Sequence, residues 1–155
     1  MSKIQHLLVA TDGSEGSIHA AAFGGDLARA LNAKVTILFV QSEDSIMPNA
    51  WGVGHEPRKP VYSMPIEEVR TMLERRARER ELKKTGEAVG DLADPPEQKH
   101  VWGRAAEQIC AFARDEDVDM IVIGSHGRSG ISRALLGSVS NAVANQAPCP
   151  VTIVR

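Results

Sequence analysis

Residues 119–145 read DMIVIGSHGRSGISRALLGSVSNAVAN. The run Met120-Ile121-Val122-Ile123 is short, apolar and without polar alternation, the pattern of a strand covered on both faces. A glycine- and serine-rich stretch follows, then a helical pattern that reaches Asn145. Pro148 and Pro150 punctuate the chain, and Val151-Thr152-Ile153-Val154 supplies a closing short strand. A buried strand, a glycine-rich turn and a helix in that order form the crossover unit of a parallel sheet.

Upstream the same unit recurs. Residues 4–10 are apolar and run into Thr11-Asp12-Gly13-Ser14, with Ser14 placed to cap a helix over 15–32. That helix has a small-residue face built from Ile18, Ala21, Ala22, Gly25 and Ala28, which permits close approach to a sheet. Residues 35–40 form a second buried strand. Pro48, Pro57, Pro60 and Pro65, with Gly52 and Gly54, predict a long loop at about 41–65 with no regular element. Met47, Trp51, Val53, Tyr62 and Met64 give that loop something to bury.

Pro65 opens a charged helix over 66–86, with Glu74 to Arg78 and Glu79 to Lys83 at i,i+4 spacing. Its inward stripe of Ile66, Val69, Leu73 and Ala77 fades after Ala77, so its last turns are expected in solvent. After Pro95-Pro96, residues 98–102 read as an edge strand with a polar start. A helix over 103–114 then turns Ala106, Ile109, Cys110 and Ala113 inward. Five strands alternating with four helical segments predict an α/β, three-layer, doubly wound parallel sheet with right-handed crossovers. Ligands of such folds sit beyond the carboxyl ends of the strands, where Thr11-Asp12-Gly13-Ser14 and the stretch after Gly124 both lie.

At 155 residues and 16.7 kDa, the expectation is one domain over 1–155. Eighteen basic residues nearly cancel twenty acidic ones, for a net charge of −2, which argues against nucleic acid or an anionic membrane surface as partner. Aromatic residues, at 4%, are too sparse for base-stacking platforms. Cys110 and Cys149 are far apart in sequence and outside metal-binding spacing, which points to a reducing compartment. Without a signal peptide or a membrane-length apolar run, a cytoplasmic location is expected.

The chemistry concentrates between Gly124 and Ser138. Glycines let a backbone approach a phosphate, the amides at a helix N-terminus donate to it, and a serine hydroxyl adds a further donor. The spacing is Gly124-x2-Gly127-x9-Gly137-Ser138, and it lies between a buried strand and a helix. Glycine-rich loops as a class are more often tight turns than phosphate sites, so this context matters.

At these residues the chain resembles the ATP-binding branch of the universal stress protein family, whose motif is Gly-x2-Gly-x9-Gly-[Ser/Thr]. The resemblance extends to Ala10-Thr11-Asp12-Gly13-Ser14, to 119–127 and to Cys149-Pro150-Val151-Thr152-Ile153-Val154, and so covers nearly the whole chain. The loop at 41–65 and the strand near His100 match poorly and contribute nothing to it.

The resemblance implies a strand order 3-2-1-4-5 and a homodimer through the C-terminal strand at 150–154. It also implies that Gly127, Gly137 and Ser138 meet phosphates, that Val139 and Ser140 offer further amide or hydroxyl donors, and that Gly124 shapes the turn. Asp12 would lie near ribose and phosphates, with a divalent cation such as Mg as intermediary, while main-chain groups of Ala10 and Val40 would meet the adenine edge. Thr11, His126 and Arg128 complete the candidate contacts, with Asp12 also readable as a turn residue. The ligand would be ATP, ADP or AMP, in a regulatory dimer of the stress response with a further protein partner.

His126 has no evident partner for acid or base work, and His6, His19, His55 and His100 have no metal-ligand spacing. Arg128 and Arg133 suit a phosphate or open water. Walker, dinucleotide and nucleophile-elbow motifs are absent. Two alternatives remain open: a slow Mg-dependent ATPase or phosphotransferase with Asp12 holding the metal, and a nucleotide-free dimerisation scaffold.

Overall fold

The computed structural model describes residues 3–46, 65–127 and 136–155. Strands β1 (His6–Thr11), β2 (Lys34–Gln41), β3 (Glu97–Trp102), β4 (Met120–Gly124) and β5 (Val151–Val154) form one parallel sheet in the order β3-β2-β1-β4-β5. This is the expected order, with β3 at one edge and β5 at the other. Helices α1 (Glu15–Leu31), α2 (Ile66–Ala77), α3 (Lys83–Val89), α4 (Ala105–Asp115) and α5 (Ser138–Gln146) cover its two faces.

Each central strand feeds two cores, because successive side chains point to opposite faces. Leu7, Val9, Val35, Ile37, Phe39 and Val122 face α1 and α3. Leu8, Ala10, Leu38, Ile121 and Ile123 face α4 and α5, where Ile109, Cys110, Ala113 and Val143 meet them. That is why the strands read as continuous apolar runs. Ser14 caps α1 as expected, its hydroxyl accepting the Ser17 amide at 3.3 Å. At the opposite end of the sheet, Asp119 accepts the N–H groups of Gln5 and His6 at 2.8 and 2.9 Å and so locks β4 to the entry of β1.

Three expectations are corrected. The segment after β2 carries a 3₁₀ turn (Glu43–Ser45), capped by Ser42, within the span expected to lack regular structure. The charged helix does not run out into solvent after Ala77. It passes through a π-helical stretch (Arg78–Leu82) into α3, and Leu82, Thr85 and Val89 are all fully buried. Val69, Leu73 and Ala77 are spaced by four, whereas Leu82 comes five after Ala77; one wider turn keeps it on the same face. Ile66, expected inward, is 59% exposed.

The close approach foreseen for α1 is made to α3 as well as to the sheet. A Cβ at Gly25 would overlap the Val89 carbonyl, so only glycine admits the contact. Among the described residues no helix is long and apolar enough to cross a membrane.

Candidate functional site

Strand order reverses between β1 and β4, which splays the following connections apart and opens a crevice at the carboxyl ends of the strands. A cleft of about 320 Å³ occupies this place. Ala10, Thr11 and Asp12 enter it from the end of β1, Val40 from β2, and Gly124, His126 and Gly127 from the end of β4. Gly137, Ser138, Val139 and Ser140 enter from the start of α5. Apart from Arg128, which with Arg133 and most of 41–65 lies outside the described residues, every candidate site residue lines this one cleft.

The individual roles are sharper than the motif suggests. Gly137 donates its N–H to the Ser125 carbonyl at 2.8 Å, so that amide is already committed. Ser140 is 3% exposed and its hydroxyl donates to the carbonyls of Ser125 (2.9 Å) and Gly137 (3.0 Å). Both residues therefore staple the two ends of the stretch between β4 and α5. Ser138 and Val139 stand exposed in the first turn of α5, where backbone N–H groups lack intrahelical acceptors and the helix dipole favours an anion.

Asp12 has two differently engaged oxygens. Oδ1 accepts the Ser14 amide at 2.9 Å, a turn-forming bond, while Oδ2 faces Gly127, where an added Cβ would come within 2.6 Å of it. Gly124 serves close approach, since a Cβ there would stand 2.8 Å from the Gly16 carbonyl oxygen in the first turn of α1. The Nδ1 of His126 lies 3.0 Å from the Ser125 hydroxyl.

The sequence did not single out Ser17, Leu38, Ala105, Ile109 and Ile123 as lining residues. Leu38, Ile109 and Ile123 belong to the α4-side core and reach the cleft as its apolar wall. Their pattern says only that they are inward. Thr11 and Ser17 form its floor through a buried contact between their hydroxyls at 3.0 Å. Apolar walls with a helix N-terminus at one end suit a flat apolar ring carrying an anionic group, and the Asp12 carboxylate beside them favours a cation rather than the anion itself.

The family model for the universal stress protein family matches residues 3–155. The chain belongs to the universal stress protein family. Among universal stress proteins, YxiE of Bacillus subtilis is 31% identical over 150 residues, covering 96% of this chain and 97% of that protein. The solved structure of MJ0577, a universal stress protein of Methanocaldococcus jannaschii, superimposes with a TM-score of 0.79 at 25% identity, over 99% of this chain and 96% of that one. A universal stress protein solved in complex with cAMP has a TM-score of 0.61 at 28% identity, over 99% and 98% of the two chains.

Proposed function

We propose that this universal stress protein binds an adenine nucleotide, ATP, ADP or AMP, in the cleft between β1 and β4, and serves as a cytoplasmic regulatory module whose occupancy alters its contacts. One observation carries it: residues 10–12, 40, 124, 126, 127 and 137–140, remote in sequence, converge on a single cleft at the topological switch point. The family relative held with cAMP supports an adenine nucleotide as ligand. The ring lies against Leu38, Val40 and Ile109, and the phosphates lie at the first turn of α5, with Ser138 and Val139 as donors.

Asp12 suits a Mg ion that arrives with the nucleotide, because Mg takes one or two carboxylates and completes its shell with phosphate oxygens and water. Among the described residues no cluster of three or more His, Cys, Asp or Glu side chains forms a cage of its own. The regulatory unit is a homodimer through β5, whose outer edge no other strand among the described residues covers.

Calorimetric titration of nucleotide-stripped protein with Mg-ATP tests the binding, with Gly137→Val as the control. Saturable binding that this substitution abolishes supports the proposal; no binding at millimolar ATP overturns it in favour of a nucleotide-free scaffold. Sedimentation should give twice the chain mass of 16.7 kDa, and a monomer at all concentrations removes the dimer.

A further inference from the structure

The cleft does not end at its own lining. Beneath it, Thr11 Oγ1 lies 3.0 Å from Ser17 Oγ and 2.9 Å from Thr85 Oγ1, and the Thr85 hydroxyl lies 2.6 Å from the Glu81 carbonyl, to which it donates. Ser17 Oγ in turn lies 2.9 Å from the Ser14 carbonyl. Ser17 and Thr85 donate their protons to the Ser14 and Glu81 carbonyls, so the single Thr11 proton serves either Ser17 or Thr85, and turning it exchanges one of these bonds for the other. Thr85 is fully buried and does not line the cleft.

The same place is touched a second time. Gly13 adopts φ +76°, and a Cβ on it would meet the Cγ and Cβ of Glu81 at 2.6 and 3.3 Å. The Asp12-Gly13 turn therefore rests on the side chain of Glu81, and Glu81 lies inside the π-helical stretch Arg78–Leu82. A π turn holds one residue more than the α-helical turns around it, and such turns are points where a helix bends or changes register.

On the far side of that turn, α2 grips the outer edge of the sheet. Glu74 accepts the indole N–H of Trp102 at 2.9 Å, and the Arg70 guanidinium lies over the Trp102 ring at 4.8 Å while bonding Glu43 at 2.7 Å. Converting the π turn to α geometry would move α2 relative to α3 by one residue, about 1.5 Å along the axis and about 100° around it. Trp102 would lose its present partners.

We infer that the π turn Arg78–Leu82 is the joint through which occupancy of the cleft, by way of Thr11, Ser17 and Thr85 and of Gly13 on Glu81, is passed to α2 and to Trp102. This rests on the nucleotide reading of the cleft. A ligand that draws the β1–α1 turn toward itself favours one register of the joint over the other, and that difference in affinity is what a shift of population requires.

Trp102 reports the joint directly once Trp51, the second tryptophan of the chain, is replaced by phenylalanine. In the Trp51→Phe background, saturation with Mg-ATP should shift the Trp102 emission. Thr85→Val should retain calorimetric binding and lose the emission response, and Thr85→Ser should restore it. Removal of the exposed Arg80, which returns Ala77 and Leu82 to α-helical spacing, should leave a folded, binding protein whose Trp102 no longer responds. Saturable binding with a silent Trp102 overturns the coupling and leaves the nucleotide reading intact, as does a full response in Thr85→Val. Absence of any binding overturns both.

Discussion

A Cβ placed on Gly127 would stand 2.6 Å from Oδ2 of Asp12, so the loop after β4 closes directly upon the carboxylate that ends β1. Gly127→Ala therefore must displace either the loop or the carboxylate. The expected result is a rise of about tenfold in the Kd for Mg-ATP, about 1.4 kcal/mol, with an unchanged thermal midpoint. Calorimetry together with a thermal melt checks both parts; an unaltered Kd would detach Asp12 from the site.

Ser140→Ala removes the hydroxyl that donates to the Ser125 and Gly137 carbonyls. Ser125 keeps the Gly137 amide, so the loss should be about 1 kcal/mol of stability. Because this staple sets where α5 begins, nucleotide affinity should fall as well, by roughly fivefold. Urea unfolding and calorimetry on the same sample separate the two effects.

Leu82 and Ile66 invert the expectation that a fading apolar stripe creates. Leu82 is fully buried behind the π turn, and Leu82→Ala should cost about 2–5 kcal/mol. Ile66, at 59% exposure, should lose less than about 0.5 kcal/mol on truncation to alanine. Paired urea titrations decide it, and equal costs would contradict the burial of the π-helical stretch at Leu82.

Stability should fall on acidification through two histidines. Burial holds the pKa of His6 below its ordinary value of 6.5, with Lys34 adding to the effect. Burial also lowers that of His100, with Arg78 adding to it and Glu74 opposing it. Both are depressed in the fold, so the unfolded chain takes up protons first as pH drops below about 6.5, and stability rises with pH across that window. Urea midpoints should be flat above neutrality and decline from pH 6.5 to 5.5.

His100 Nε2 is buried without a hydrogen-bond partner among the described residues, and its ring stacks on Phe39 at 5.8 Å. His100→Phe keeps the stacking and removes both the orphaned nitrogen and one proton site. It should raise stability by about 1 kcal/mol and make the acid decline shallower. An unchanged decline would mean that His100 is not one of the groups responsible.

The strands and their three-layer arrangement are legible because burial on both faces leaves an unmistakable apolar run, as in Leu7-Leu8-Val9-Ala10 and Ile121-Val122-Ile123. The glycine motif locates the cleft for a related reason: Gly124 meets the backbone of Gly16 and Gly127 meets the Asp12 carboxylate, both at distances that leave little room for a side chain. The course of the chain past Ala77 is not legible, since a period of 3.6 assigns Leu82 to the wrong face and nothing in the composition announces a five-residue step. Nor does a serine in a phosphate-type loop reveal its partner. Ser140 is committed to two carbonyls, which only the packed geometry discloses. Ile109 reads correctly as inward, but whether inward means core or cleft depends on what stands opposite it.

The central place of β1 has a consequence for biosynthesis. Of the five strands it comes first in the chain, and its two neighbours emerge at different times: β2 directly after α1, β4 only after β3 and α4. Until β4 leaves the ribosome, β1 presents an open, apolar pairing edge to any chaperone or stray strand. The cleft forms by the same event that seals this edge, because its second half follows β4. The second wall of the cleft therefore takes shape only once β4 and the start of α5 are in place, and a chain cut short before them is expected to expose the β1 edge and to lack that wall.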